Sequence, residues 1–269
     1  MEQPDVSVHD PRATFLYGTS VRDVAEPLQF FDWDDSADEV RAFMEQQDCQ
    51  VVGIRRDGKI EGFCALALLD AATAGHSARS FEDWVVLPGS SPLIAAVEAL
   101  RHEPWVFMDV LGRVESVVTL EDLQKAPARM WLIAVISMLD AHFLRAINRW
   151  YQRDTWVKKL DRERVAVIRQ TLEERRTRNP DTRLVDCLQL ADKIAIIAAT
   201  RSLRRWLGFS SRGIWSFISQ KIDALRNRLV LAQPIDWSAN TLMVVSIAEQ
   251  LVARCEGTDG HRDGAERAD

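Results

Sequence analysis

The chain is poor in the residues that most soluble chemistry relies on. Four cysteines, Cys49, Cys64, Cys187 and Cys255, are scattered through 269 residues without metal-ligand spacing, and two of them lie in apolar runs, as buried thiols do. Only five histidines are present, and none lies between His142 and His261. There is no Gly-rich phosphate loop, no Ser/Cys–His pairing and no metal-ligand cluster, so P-loop, nucleophilic and metal-assisted chemistry have no sequence support. The first ten residues are polar and acidic rather than a secretory leader. The most apolar window, Met130 to Leu139, is followed by Asp140, His142 and Arg145. It reads as a buried helix too short to span a bilayer. These absences predict a cytoplasmic protein with no membrane partner.

Composition is that of a globular protein, 47% apolar and 28% charged. The net charge of −6 hides a strong asymmetry: residues 1–125 carry 23 acids and 10 bases, and residues 126–255 carry 12 acids and 22 bases. A domain boundary near Lys125-Ala126-Pro127 is predicted, with acidic substrates or RNA as plausible partners of the basic half.

The acidic half is a tandem repeat. Trp105 to Leu123 reads as strand, turn at Leu111-Gly112-Arg113, second strand, and a helix start at Thr119. Val51 to Leu68 repeats it: Gly58 lies over Gly112, Glu61 over Glu115 and Ile60 over Val114, an offset of roughly 54 residues. Val21 to Phe31 and Trp84 to Leu87 are the lead-in strands. A helix is predicted over Ala37 to Gln46, with Ser36 as N-cap and Glu39 completing a capping box.

This repeat resembles the CBS (cystathionine β-synthase) domain, whose units pair as a Bateman module. The resemblance covers residues 20–125, with repeats at about 20–70 and 80–125. In that family a Thr/Ser-x-x-Asp step after the second strand holds an adenine nucleotide. Thr119-Leu120-Glu121-Asp122 matches the step, and the hydroxyl of Thr119 and carboxylate of Asp122 become candidate ligand groups. A helix N-terminus and a carboxylate suit phosphate and vicinal hydroxyls respectively. The first repeat has Ala65 and Leu68 there, so at most one site is intact. AMP, ATP and S-adenosylmethionine are the ligands the resemblance implies. Plain capping by Thr119 and Asp122 is the alternative.

After Pro127 the apolar period becomes 3.6. Five helices are predicted: one ending near Tyr151, one capped by Asp161, a continuous one over about Thr182 to Trp206, one from Ser210 or Ser211 to Leu231, and one from Pro234-Ile235-Asp236 through Val252. Residues 1–19 read as a loose arm and 256–269 as a disordered tail. The fold class is therefore an α+β CBS pair followed by an all-α bundle at 126–255.

Leu225-Arg226-Asn227-Arg228-Leu229-Val230-Leu231 resembles the signature of HEPN domains, helical and usually dimeric, many of which cut RNA without metal through an Arg-x(4–6)-His motif. Arg226 and Asn227 match, and Leu231 stands where the catalytic histidine belongs. A general acid/base contributes about 10²–10⁴ in rate, so little or no ribonuclease activity is expected. Leu225, Leu229 and Ala232 would be ordinary core positions, and His142 a helix-surface or satisfied core histidine. The reading is a homodimeric, nucleotide-responsive regulator whose basic helical effector binds RNA or a protein. A disabled HEPN-type ribonuclease of the toxin or defence type is the alternative.

Overall fold

The computed structural model describes residues 17–70, 72–237 and 239–257. The predicted loose arm falls largely on residues 1–16, and the predicted tail largely on 258–269, outside the described residues. The chain divides into two compact units, Met1–Trp131 and Leu132–Asp269.

In the first unit, strands β1 (Glu26–Pro27), β2 (Phe30–Asp32), β3 (Val51–Arg56), β4 (Lys59–Ala65), β5 (Arg79–Ser80), β6 (Val86–Pro88), β7 (Trp105–Val110) and β8 (Arg113–Thr119) form two four-stranded sheets. Their orders are β2-β3-β4-β5 and β1-β8-β7-β6. Each centres on an antiparallel hairpin, β3-β4 or β7-β8, joined by a two-residue turn with both residues at positive φ: Asp57 at 50° and Gly58 at 78°, then Leu111 at 53° and Gly112 at 78°. That is a type I′ turn, whose twist suits the flanking strands. Both hairpins shift register at the same place, between Ile54 and Arg55 and between Met108 and Asp109. Leu111 holds the turn conformation while 98% exposed, so no packing compensates its left-handed backbone.

The lead-in differs from expectation. Val21 to Phe31 is not one strand: a 3₁₀ turn at Val21–Asp23 precedes β1, which pairs antiparallel with β8, and β2 pairs parallel with β3. β5 likewise joins β4, and β6 runs parallel to β7. Each half thus lends its short leading strand to the other half's sheet, an exchange that a linear repeat does not disclose. Helices α1 (Ala37–Gln46) and α2 (Leu93–Ala99) precede the hairpins. Ser36 stands at the N-cap of α1 without a side-chain cap bond, so the predicted capping box is not formed; Ser36 bridges to Thr73 instead.

Aromatic rings join the sheets. Phe63 lies 4.9 Å from Phe107, Phe81 lies 4.8 Å from Phe107, and Trp84 stacks on Trp105 at 5.3 Å. Leu28, Val51 and Ala65 complete this core. A second core packs Val40 and Met44 of α1 against Val52, Ile54 and Cys64. Fully burying each such side chain is worth about 1.5–3 kcal/mol.

The second unit is helical: α3 (Ala126–Trp150, starting in the first unit), α4 (Arg162–Arg176), α5 (Leu190–Ala199), α6 (Arg201–Trp206), α7 (Arg212–Val230) and α8 (Ala239–Gly257). Asp161 and Ser211 cap α4 and α7, accepting from the N–H of Arg164 at 2.7 Å and of Ile214 at 3.1 Å. The continuous helix predicted over Thr182 to Trp206 is instead a 3₁₀ turn at Leu184–Cys187 and two helices. Thr200 breaks it with φ −119° and ψ 96°. The break is chemically satisfied: the Thr200 hydroxyl donates to Ile196 O at 2.8 Å, and Arg204 Nη1 donates to Ala198 O at 2.6 Å.

Two further expectations change. The last helix extends past Val252 to Gly257. The Met130–Leu139 window belongs to the 25-residue α3, which by length and composition is long enough to cross a membrane, with a mean hydropathy of 1.6 over eighteen residues. Leu132, Val135, Leu139, Phe143 and Ile147 of that helix are buried in the fold.

Candidate functional site

β8 ends at Thr119, and the chain enters a three-residue 3₁₀ turn at Asp122–Gln124, not the predicted helix; α3 starts only at Ala126. The reason is the Asp122 side chain. Its Oδ2 accepts from both the backbone N–H of Thr119 at 2.7 Å and the Thr119 hydroxyl at 2.9 Å, which closes a turn upstream of Asp122. Oδ1 lies 2.8 Å from Lys125 Nζ. The carboxylate is 7% exposed, and Lys125 Nζ also donates to Val24 O at 2.7 Å and pairs with Glu26. Burial works against the Lys125 ammonium, but the hydrogen bonds to Asp122 and Glu26 outweigh it and raise its pKa above the ordinary lysine value. Thr119 and Asp122 are thus brought together, each meeting the other's hydrogen-bonding needs, and a turn this short offers little of a helix's dipole to an anion.

The structure adds a counterpart that the repeat alignment overlooked. Ser20 and Asp23 make the same contact, Asp23 Oδ2 accepting from the Ser20 N–H at 2.7 Å and the Ser20 hydroxyl at 2.8 Å. The signal was available as Ser20-Val21-Arg22-Asp23, the same hydroxyl-x-x-Asp spacing placed before the first repeat instead of after it. At the position aligned with Thr119 and Asp122, Ala65 is buried and Leu68 is exposed, and neither can do this.

In the second unit, Arg226 and Asn227 are exposed on the last turn of α7, and Leu231 is the residue that ends it, 64% exposed with its N–H on Asn227 O at 2.9 Å. Ala232 is not a core position. It sits at φ 53°, with the Gln233 N–H on Arg228 O at 2.9 Å and the Ala232 N–H on Leu229 O at 3.3 Å, a Schellman helix end. Leu225 and Leu229 are buried as predicted. Burial raises the pKa of the half-buried Asp223, and the Arg226 charge offsets only part of that rise. The Arg226-Asn227-Leu231 set therefore occupies a solvent-facing helix terminus, and none of its three side chains is a proton-transfer group at neutral pH.

His142 on α3 is 4% exposed, with Arg145 Nη2 3.1 Å from Nδ1 and 3.3 Å from Nε2. Burial, then the Arg145 charge, lowers its pKa to about 4 from 6.5. Since the unfolded ring takes up a proton that the folded ring refuses, the folded state loses stability as pH falls from about 6.5 to about 4. The loss should be about 1–3 kcal/mol across that window. Urea unfolding at pH 7 and pH 5 should show it, and His142→Leu should flatten this part of the pH dependence; an unchanged slope in that variant would assign it to other groups.

No family model matches the chain, and no curated protein does. The N-terminal part, about 40% of the chain, is similar to solved structures of CBS-domain proteins. One is a CBS domain-containing protein of unknown function from Bacillus anthracis, 12% identical, covering 40% of this chain and 91% of its own at a TM-score of 0.36. Another is the CBS-pair protein CBSX2 from Arabidopsis thaliana, 15% identical over 39% of this chain and 91% of its own at 0.35, a protein also solved in complex with AMP. A third is the CBS domain of the bacterial CNNM/CorC family Mg²⁺ transporter in complex with ATP, 19% identical over 41% of this chain and 88% of its own at 0.34.

Proposed function

We propose that the first unit is a CBS pair that senses an adenine nucleotide and regulates the basic helical unit that follows it. The carrying observation is the two-fold repeated architecture: two matched hairpins, each completed by the other half's leading strand, with a hydroxyl-x-x-Asp turn at Ser20–Asp23 and another at Thr119–Asp122. Ligand binding at Thr119 and Asp122 requires that the carboxylate exchange its contacts to Thr119 and Lys125 for ribose hydroxyls, both being charge-assisted hydrogen bonds of similar strength. The helical unit, HEPN-like in this reading and carrying Leu231 in place of the motif histidine, serves as an effector that binds RNA or a protein partner and assembles as a homodimer, and not as a ribonuclease.

Calorimetry with AMP and S-adenosylmethionine, which carry no triphosphate chain, should give one site per chain. Asp122→Ala and Thr119→Val should each weaken binding by about tenfold or more, a loss on the order of one charge-assisted hydrogen bond. Thermal unfolding of both variants distinguishes lost binding from lost folding. Absence of any nucleotide heat, two AMP sites per chain, or wild-type AMP affinity in a folded Asp122→Ala protein would each refute the assignment.

A further inference from the structure

The helical unit holds a cavity of about 800 Å³ that no motif pointed to. Four arginines line it: Arg153 in the turn after α3, Arg169 and Arg176 on α4, and Arg183 ahead of the 3₁₀ turn at Leu184–Cys187. A second cavity of about 730 Å³ shares Val157, Arg169 and Glu173 with it, so the two adjoin, and it adds Lys158 and Arg162. Arg162, Arg169 and Arg176 are seven residues apart on one helix, which places them on one face at steps of roughly 10 Å. Asp154 and Glu173 are the carboxylates of the lining; Asp186, outside it, pairs with Arg183 at 2.8 Å. Arg153, Lys158, Arg162 and Arg169 have no ion-pair partner among the described residues. The cavities therefore keep a surplus of positive charge in a concave space of the size that small ligands occupy.

Arg153 supplies an independent observation. Its φ of 52° lies in the left-handed region, where a non-glycine residue costs about 1 kcal/mol or more. Glycine would hold this turn without that cost, and among the described residues Arg153 makes no side-chain hydrogen bond that would offset it. A strained backbone at a residue that lines an arginine-rich cavity is what a ligand contact would retain.

We propose that this cavity binds a small molecule carrying an oligophosphate chain. Guanidinium forks match phosphate oxygens bidentately, and cations spread over adjoining cavities suit several linked phosphates better than one. The half-buried Tyr151 ring with Val157 and Leu172 offers an apolar wall to whatever the chain carries. A nucleoside polyphosphate and free inorganic triphosphate share this chemistry.

Calorimetry on the full chain with inorganic triphosphate tests it without involving an adenosine site. The wild-type protein should bind, and Arg169→Gln should weaken binding by about tenfold. Arg153→Gly should weaken it similarly while leaving the ligand-free Tm unchanged or higher, because it relieves the backbone. ATP binding more tightly than triphosphate in the wild type, with that advantage lost in Arg169→Gln, identifies a nucleoside polyphosphate; equal affinities identify the bare chain. Triphosphate giving no heat, both variants binding like wild type, a lower Tm with intact binding in Arg153→Gly, or binding confined to a single-stranded oligonucleotide would each overturn the proposal.

Discussion

Asp140→Ala is expected to destabilise the helical unit by about 3–5 kcal/mol, the usual result of orphaning one member of a buried ion pair. Lys193 is 4% exposed on α5, just before the run Ile194 to Ala199, and its Nζ meets both carboxylate oxygens of Asp140 on α3 at 2.7 Å. Asp140 itself is 37% exposed, so the two partners are not equivalent. Removing Asp140 leaves a buried ammonium without its carboxylate partner, whereas Lys193→Met removes the charge and keeps the stem's packing. Lys193→Met should therefore cost less than Asp140→Ala, and Asp140→Ala combined with Lys193→Met should recover much of the loss. Urea unfolding of the three variants measures this directly. A cost below about 1 kcal/mol for Asp140→Ala would mean that Lys193 finds water or another acceptor when its partner is gone.

That pair marks where sequence reading stops. The hairpins were legible because their signals are local: Asp57-Gly58 and the Gly112 turn specify two-residue turns, and alternating apolar residues specify the strands. The helix caps Asp161 and Ser211 were legible for the same reason. Lys193, by contrast, precedes an almost unbroken apolar run and carries no mark of the carboxylate 53 residues upstream that makes its burial tolerable. The break at Thr200 is similarly non-local, since no glycine or proline announces it and Arg204 must fold back to satisfy Ala198 O. Arg164, which grips Asp192 at 2.6 and 2.8 Å, reads in sequence as one more charge on a solvated face.

The candidate sites show the same division. Hydroxyl-x-x-Asp spacing located Thr119 and Asp122, but which partner Asp122 would choose depends on Lys125 and on Val24 and Glu26, about a hundred residues earlier. Leu231 misleads in the opposite direction. Its apolar character suggests a packed position, yet a Schellman end turns it outward, so its exposure follows from backbone geometry and not from hydropathy. The arginine-lined cavities left no trace in motif terms, because their residues come from three elements and none is unusual alone.

Gly75→Ala should be nearly as damaging to the first unit as the loss of Asp140 is to the second, about 2–4 kcal/mol, through overpacking. The residues between the repeats read as a Gly- and Ser-containing linker, but Ala74, Gly75 and Ser77 are buried in a 3₁₀ turn against α1. The Gly75 N–H donates to Trp33 O at 2.9 Å, and the Ala74 N–H to Asp35 O at 2.9 Å, so the backbone is held from two sides. A Cβ on Gly75 would lie 2.2 Å from Trp33 Cδ2 and 2.4 Å from its Cε2 and Cγ, well inside contact distance. The indole is held from more than one direction, since the Arg56 guanidinium lies over its ring at 4.7 Å and the ring packs against the α1 core. Gly75 is thus required for close approach and not for an unusual φ. Trp33→Leu alone should cost less, and combined with Gly75→Ala it should relieve the collision, giving a coupling of about 1–3 kcal/mol in the restoring direction. Thermal unfolding of the single and double variants reads this out. Additive losses would show that the linker moves away from the indole instead of pressing on it.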